Sequence, residues 1–552
     1  MHVGIIKKVS MKPGRSDPCP CGSGKAFEKC CQEWYESAKS EPFGKREGPA
    51  ATECSQLVAL LNAGHLAELE SRTHLLLEQY PDSGFAWNLL GVSLQRQSRD
   101  GLPAFQKAVK FLPNDAEVHN NLGNALSDSG RLDEAEAIYR LALQINPRNS
   151  NAYNNLGCTL SDLGRLDEAE ASYRRALQVK PDFAEAHFNL GSTLNDLGRL
   201  DEAEASYRRA LQIKPDFAKA HFKMGSTLND LGRLDEAEAS YRRALQIKPD
   251  FAEAHFDLGN ILGGLGRLGE AEASYRLVLE IKPDIADVYG NLGGVLMGQG
   301  KQNEALACFQ QQIKLTPWNG TIMHLIASLT GNNTERAPIQ YVENLFDDYA
   351  DKFDTLLQKK LKYEIPEKLV ALVTQHLMPP TEKWNVLDVG CGTGLVGSAI
   401  APFTRQLVGV DLSAKMLEKA HVRNLYQRLE RLDLLTMMRG EKASIYDVII
   451  AADVFIYIGK LDEIIGEIKR LLRPGGVLAF SIEALAALAN DESIQGDQRE
   501  YQLEKTGRYT QSVSYITRLA SANGFMPQAI VETQIRMERG KPIKGYLVLW
   551  RN

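Results

Sequence analysis

Six glycines, Gly123, Gly157, Gly191, Gly225, Gly259 and Gly293, recur at an interval of 34 residues. Around them one phrase returns, clearest in Leu200-Asp201-Glu202-Ala203-Glu204-Ala205-Ser206-Tyr207-Arg208-Arg209-Ala210-Leu211-Gln212-Ile213-Lys214-Pro215. A unit this short cannot bury an apolar face alone, so consecutive units must stack to make a core. In register, each unit has Leu-Gly (once Met-Gly) at its seventh and eighth positions. Ala stands at the twentieth, Tyr or Phe at the twenty-fourth and Pro at the thirty-second. The small residues let two helices approach closely, the aromatic fills the space beside them, and Pro stops the second helix. Residues 116–149, 150–183, 184–217, 218–251, 252–285 and 286–319 fit this register. Residues 84–115 are two short but keep Gly91, Ala104, Ala108 and Pro113, and residues 50–83 form a degenerate first unit ending in Pro81.

The pattern resembles the tetratricopeptide repeat. The resemblance implies about eight helix pairs over 50–319, wound into an all-α superhelix whose first helices line a concave groove. The sixth position reads Asn121, Asn155, Asn189, Lys223, Asp257 and Asn291. An amide donates and accepts at once, so a row of them can hold a peptide backbone without reading its sequence. The row resembles the asparagine ladder of the O-linked N-acetylglucosamine transferase, which implies partner binding by Asn121, Asn155, Asn189 and Asn291. The alternative is that these are exposed positions kept polar for solubility. His187, His221 and His255 also recur at 34 and read as repeat packing residues, not metal ligands.

Four of the eight cysteines, Cys19, Cys21, Cys30 and Cys31, fall within thirteen residues. The apolar stretch at the N-terminus is too short for a secretory signal, and Met11 could be the true start. Clustered cysteines then read as metal ligands before disulfides. Two thiolates on each side of the turn Gly22-Ser23-Gly24 suit a closed tetrahedral Zn²⁺ site of structural type, which would supply most of the folding energy of so small a module. With Lys25 and Lys29 the segment resembles the SEC-C motif found at the tail of the bacterial SecA motor. It departs from that motif at Ala26 and Glu28. The resemblance implies a docking element over residues 12–40; a purely structural clip is the alternative.

The net charge of −6 disfavours a polyanion partner, because nucleic-acid binding usually needs a basic surface. No apolar run of ~18 residues predicts a membrane span. A bacterial cytoplasmic protein is expected.

After the repeats, residues 320–345 read as a connector with Gly331-Asn332-Asn333 as breakers. Strands and helices then alternate over 346–552, predicting βαβ units and a mainly parallel sheet. Strands are expected at Val386–Val389, Gln406–Val410, Tyr446–Ala451 and Gly476–Ser481, and helices at Leu395–Ala401 and Leu461–Leu472. The first strand runs into Asp388-Val389-Gly390-Cys391-Gly392-Thr393-Gly394, a glycine-rich turn that lets backbone approach a ligand. Asp411 ends the next strand, seventeen residues after Gly394, where a carboxylate can accept from ribose hydroxyls. Arg473-Pro474-Gly475-Gly476 reads as a turn between a helix and a strand.

Together these features resemble the class I S-adenosylmethionine-dependent methyltransferases, with a Rossmann-like α/β fold. The resemblance implies that Asp388, Gly390, Cys391, Gly392 and Gly394 cradle the methionine portion of the cofactor. Asp411 would bind ribose, Leu412 or Met416 would flank adenine, and Asp433 would meet its amino group. The segment Phe346–Asp354 resembles the entry segment of a bacterial methyltransferase group fused to such repeats. There Tyr349 and Phe353 would close over the cofactor; packing as an amphipathic helix is the alternative.

Methyl transfer from a sulfonium is an in-line displacement that needs alignment but no covalent enzyme step. The motifs of DNA amino- and C5-methylation are absent after Asp453. Asp453, Tyr457, Glu483 and the segment Gly507–Ser512 are the acceptor-side candidates. The expected function is a methyltransferase whose repeats recruit a protein substrate or partner. The alternatives are a small-molecule methyltransferase with repeats used for assembly, and a non-catalytic cofactor-binding scaffold.

Overall fold

The computed structural model describes residues 49–350, 353, 363–377, 383–485, 499–538 and 541–552. The zinc expectation, with Cys19, Cys21, Cys30 and Cys31, lies outside the described residues. The chain divides into two compact units, Met1–Leu265 and Gly266–Asn552.

In the first unit, helices run in pairs. They are α1 (Ala51–Asn62) and α2 (Leu66–Gln79), α3 (Gly84–Arg96) and α4 (Leu102–Phe111), α5 (Ala116–Asp128) and α6 (Leu132–Ile145), and α7 (Ser150–Asp162) and α8 (Leu166–Val179). Then follow α9 (Ala184–Asp196) and α10 (Leu200–Ile213), α11 (Ala218–Asp230) and α12 (Leu234–Ile247), and finally α13 (Ala252–Gly264). The repeated glycine is explained by contact with the repeated tyrosine. A Cβ added at Gly123, Gly157, Gly191 or Gly225 would stand 2.5–2.8 Å from the ring of Tyr139, Tyr173, Tyr207 or Tyr241 respectively. Those rings are at most 2% exposed. An arginine before each second helix ties neighbouring repeats: Arg199 reaches Glu170 of the previous unit and Glu202 of its own, both at 2.7 Å. Arg165 and Arg233 repeat the arrangement. Such half-exposed pairs contribute little energy each, but their periodicity favours one stacking register.

The second unit begins with α14 (Leu268–Ile281), α15 (Ala286–Gly298) and α16 (Gln302–Leu315). The stretch expected as a connector is largely helical. It holds α17 (Gly320–Thr330) and the start of α18 (Ile339–Tyr349). The Asn319 side chain caps α17 by accepting from the Ile322 N–H at 3.1 Å, and Ile322, His324 and Ala327 bury its inner face. Gly331, at φ +75°, ends it, so the breaker reading holds at that residue.

Next come α19 (Ile365–His376), β1 (Trp384–Val389), α20 (Leu395–Ile400), β2 (Thr404–Asp411), α21 (Ala414–Val422), β3 (Arg428–Arg431) and α22 (Leu434–Gly440). They are followed by β4 (Tyr446–Ala451), α23 (Asp462–Leu471), β5 (Leu472–Glu483), β6 (Tyr501–Leu503), β7 (Tyr509–Gln511), α24 (Val513–Ala522), β8 (Met526–Glu538) and β9 (Lys541–Arg551). Seven strands form one sheet in the order β3-β2-β1-β4-β5-β9-β8. The first five are parallel, as expected, and β9 and β8 are antiparallel. Alternate residues of β1 feed two cores: Leu387 and Val389 pack on one face with Ile464, Ile468 and Leu519, while Val386 packs on the other with Leu369 and Val373. The expected turn at Pro474-Gly475-Gly476 instead lies inside β5 as an irregularity in its pairing with β4. Gly475, at φ +79°, donates its N–H to the Asn552 carbonyl at 2.7 Å.

Candidate active site

The carboxyl ends of β1, β2 and β4 meet at one edge of the sheet, where parallel α/β sheets bind ligands. From β1 the chain turns through Gly390 (φ +64°), Gly392 (φ +53°) and Gly394 (φ +86°), values that L side chains rarely adopt. The turn is pinned to β2 twice. The Cys391 N–H donates to the Val410 carbonyl at 3.0 Å, and the Gly392 N–H donates to Asp411 Oδ2 at 2.8 Å. Asp411 Oδ1 accepts from the Ser413 N–H at 2.9 Å. Burial raises the Asp411 carboxyl above its ordinary range, opposed by the N–H donors of Ser413 and Gly392. The position where Gly392 would carry a Cβ is open, with Phe353 the nearest group at 3.9 Å.

A cavity of about 1160 Å³ opens over this loop. On one side Asp411, Leu412 and Asp433 line it. Over it lies α18, fastened by Asp347, which accepts from Ser413 Oγ at 2.5 Å, and by a Glu343–Arg431 ion pair. Tyr349, Phe346 and Phe353 line the cavity, and Phe346 packs edge-on against both Phe353 and Tyr457.

The other end is rich in paired charge. Asp453 follows β4 in a left-handed conformation, φ +55°, with Oδ1 accepting from Ser481 Oγ at 2.8 Å. Arg536 donates to Asp453 Oδ2 at 3.2 Å and pairs with Glu483. Arg508 pairs with Glu538 and lies 3.2 Å from Glu483. Burial raises the Asp453 carboxyl, and the Arg536 guanidinium opposes the rise. Burial also holds the phenols of Tyr363 and Tyr457 well above their ordinary value, so both stay neutral. Two guanidinium groups, Asp453, Glu538, Tyr363 and Tyr457 all reach the cavity wall.

A family model described as "Methyltransferase domain" matches residues 387–478, the span from β1 into β5. The C-terminal part of the chain is a methyltransferase domain. Tetratricopeptide-repeat models match residues 114–182, 154–218, 225–266, 252–285 and 286–317, and an SEC-C motif model matches 15–33. The chain is 29% identical over 194 residues to human "Methyltransferase-like protein 27", covering 33% of this chain and 75% of that protein. It is 30% identical over 176 residues to the "Malonyl-[acyl-carrier protein] O-methyltransferase" of Pectobacterium atrosepticum, covering 32% of this chain and 65% of that protein. Two other enzymes of that name are spanned over 54% and 49% of their length. Among solved structures, YrrB, "a TPR protein with an unusual peptide-binding site", is 25% identical, covering 34% of this chain and 96% of that one with a TM-score of 0.31.

Within the methyltransferase domain the sequence candidates separate. Gly390, Cys391, Gly392, Asp411, Leu412, Asp433, Asp453, Tyr457, Tyr349 and Phe353 line the cavity. Asp388 does not: it is 1% exposed beneath the loop, with Oδ2 accepting from the Tyr426 hydroxyl at 2.6 Å and Oδ1 without a partner among the described residues. Burial pushes its carboxyl up to about 7. Gly394 serves as the N-cap of α20, off the cavity wall. Met416 is fully buried in α21, so of the two adenine-flanking candidates only Leu412 faces the cavity. Glu483 sits behind the guanidinium groups rather than on the wall. Arg536, Glu538 and Tyr363 were not foreseen. Arg536 and Glu538 are two apart on β8, hence on one face, a signal available only once that strand is recognised.

The candidate amides of the first unit bond to other asparagines of the preceding repeat. Asn121 Nδ2 donates to Asn88 Oδ1 at 3.0 Å, Asn155 Nδ2 to Asn120 and Asn124, and Asn189 Nδ2 to Asn154 at 3.0 Å. They therefore stitch neighbouring repeats, which is a structural role. His187 and His221 likewise bond to the carbonyls of Pro181 and Pro215, as packing residues would. Among the described residues no helix is long and apolar enough to cross a membrane, and no cluster of His, Cys, Asp or Glu could hold a metal.

Proposed function

We propose that the chain is an S-adenosylmethionine-dependent methyltransferase whose repeats recruit a protein substrate or partner. The observation that carries the cofactor assignment is the Gly392–Asp411 brace at the floor of a cavity of about 1160 Å³. Each Asp411 oxygen spends one lone pair on a backbone N–H, which leaves a second for a ribose hydroxyl. Leu412 would flank adenine, Asp433 would meet its amino group, and the open backbone at Gly390–Gly392 would take the methionine portion. Tyr349 and Phe353 close the site from above. When bound, the cofactor supplies an electrophilic methyl group on a sulfonium. The chain's own part is to bind, orient and exclude water, and α18 with Phe346 walls the cavity for that purpose. The acceptor enters at the end lined by Asp453, Tyr457 and Arg508.

The residues Cys19, Cys21, Cys30 and Cys31 would hold a structural Zn²⁺ that folds a docking module. The asparagine row contributes to partner binding only through amide valences not used between repeats.

The test is transfer of a labelled methyl group from S-adenosylmethionine, by the full chain, into cell lysate. Label in a protein band supports this reading. Label confined to low-mass extract replaces it with a small-molecule enzyme, and tight cofactor binding with no transfer replaces it with a scaffold.

A further inference from the structure

We infer that the methyl acceptor is a carboxylate, held by Arg508 and converted to a methyl ester; this rests on the methyltransferase reading above. Two observations carry it. First, Arg508 is underused. Its Nη2 pairs with Glu538 and its Nε lies 3.2 Å from Glu483 in an ion pair, which leaves the N–H groups of Nη1 without a partner among the described residues. The guanidinium is on the cavity wall and its side chain is only 18% exposed. A buried guanidinium with unused N–H groups favours an anionic oxygen acceptor, and its planar fork fits a carboxylate.

Second, no free base faces that end among the described residues. Asp453 is held by Ser481 and Arg536, Glu538 by Arg508, and Glu483 by both arginines. No histidine lines the cavity among the described residues, and Tyr363 and Tyr457 are held neutral. An ammonium or a hydroxyl acceptor would have to shed a proton, and an ammonium would also be repelled by the sulfonium. A carboxylate arrives ionised and is attracted by that charge.

The step balances without a proton. A lone pair on the carboxylate oxygen forms the new O–CH₃ bond, the C–S bond breaks, and its electron pair stays on sulfur. The anion and the sulfonium become a neutral ester and a neutral thioether. Arg508 orients the oxygen and returns to its starting state.

Methyl esters, unlike N-methyl groups and ethers, release methanol in mild alkali. Full-length protein, lysate and methyl-labelled S-adenosylmethionine are incubated, with Asp411→Ala protein as background. The protein and low-mass fractions are then made alkaline in sealed vials. Volatile label is expected from one fraction, and that fraction identifies a protein-borne or a small acid. Transferred label that stays non-volatile in both fractions overturns the carboxylate while leaving the methyltransferase intact. No transfer above background overturns the parent reading as well. Arg508→Gln should lower alkali-labile transfer about thirtyfold, the loss expected for charge-assisted hydrogen bonds. Its affinity for S-adenosylhomocysteine, measured by calorimetry, should stay within about twofold, because Arg508 lies at the acceptor end. Unchanged transfer by Arg508→Gln overturns its role. If that variant fails to bind cofactor, Arg508→Lys decides instead: retained binding with reduced ester formation supports the inference, and full activity refutes it.

Discussion

Removing the Asp411 carboxylate isolates the interaction on which the cofactor assignment stands. In the folded chain both oxygens are already engaged, Oδ2 by the Gly392 N–H at 2.8 Å and Oδ1 by the Ser413 N–H at 2.9 Å. A ribose diol would add a hydrogen bond to each oxygen of the same charged group. Hydrogen bonds to charged groups contribute about 1.5–3 kcal/mol each, so losing two near the low end costs about 3 kcal/mol, or roughly 150-fold in Kd. Asp411→Asn is expected to be nearly as damaging as Asp411→Ala. Its single carbonyl oxygen can replace only one acceptor, and its NH₂ would face a backbone N–H. The assay is calorimetric titration with S-adenosylhomocysteine, which avoids turnover, alongside a melting curve to show that the domain is folded. A folded Asp411→Ala domain that binds within about threefold of the parent would refute the ribose assignment, since that change is under 0.7 kcal/mol.

Asp388, with its carboxyl pushed up to about 7, has a folded value above its unfolded one. Its stabilising contribution is therefore present at low pH and lost as pH rises through about 7. Asp388→Asn, which can still accept from Tyr426, should raise the melting temperature more at pH 8 than at pH 5.5; a pH-independent difference would show that Asp388 does not titrate there. In the repeats, Gly191→Ala places a methyl 2.8 Å from a Tyr207 ring carbon and should cost about 1–3 kcal/mol, read as a lowered denaturant midpoint. Adding Tyr207→Leu should recover part of that loss, and an unchanged midpoint for the single variant would refute the packing argument. For the N-terminal module, elemental analysis should find one zinc per chain, and Cys21→Ser should lose it; a metal-free parent protein would remove the zinc proposal.

The repeats were legible because their signal is local and redundant: each of six glycines is followed sixteen residues later in the same unit by an aromatic, five times Tyr and once Phe309. The glycine loop and Asp411 were legible for a related reason, since one strand–loop–helix unit sets the spacing of both. What escaped depends on long-range pairing. Asp388 meets Tyr426 across 38 residues, and only the sheet order tells that its carboxylate turns under the loop instead of into the cavity. Arg536 reaches Asp453 across 83 residues because β9 is added antiparallel to β5 and β8 antiparallel to β9. No period-2 pattern marks β8, whose outer half is exposed on both faces, so nothing local sets Arg536 apart. The helix α17 is short and runs straight into the breakers at Gly331, so its local mark is the Asn319 cap before it.

The position of Arg508 also bears on why helices and methyltransferase share one chain. Arg508 leaves the tip of the β6–β7 hairpin, and that hairpin is fastened to the last helices as well as to the sheet. The buried His324 of α17 donates from Nε2 to the Gly507 carbonyl at 3.0 Å, and its ring packs against Tyr341 and Tyr509. Asn333 donates to the Tyr501 carbonyl at 3.1 Å and accepts from the Leu503 N–H at 2.7 Å. Lys505 donates to Gln302 of α16 at 3.0 Å, and Thr334 bonds to the Tyr509 hydroxyl. At the site, Gln511 bonds to the carbonyls of Phe455 and Ile458 beside Tyr457. One wall of the acceptor end is thus built on α16, α17 and the segment that follows. In-line displacement depends on alignment to within about an ångström, and a wall tied by several hydrogen bonds, that of His324 buried, to packed helices supplies that more reliably than a free loop. Of these bonds, Lys505–Gln302 alone reaches the repeats over 50–319; the rest come from α17 and the segment after it, so it is these elements following the repeats that hold the hairpin carrying Arg508.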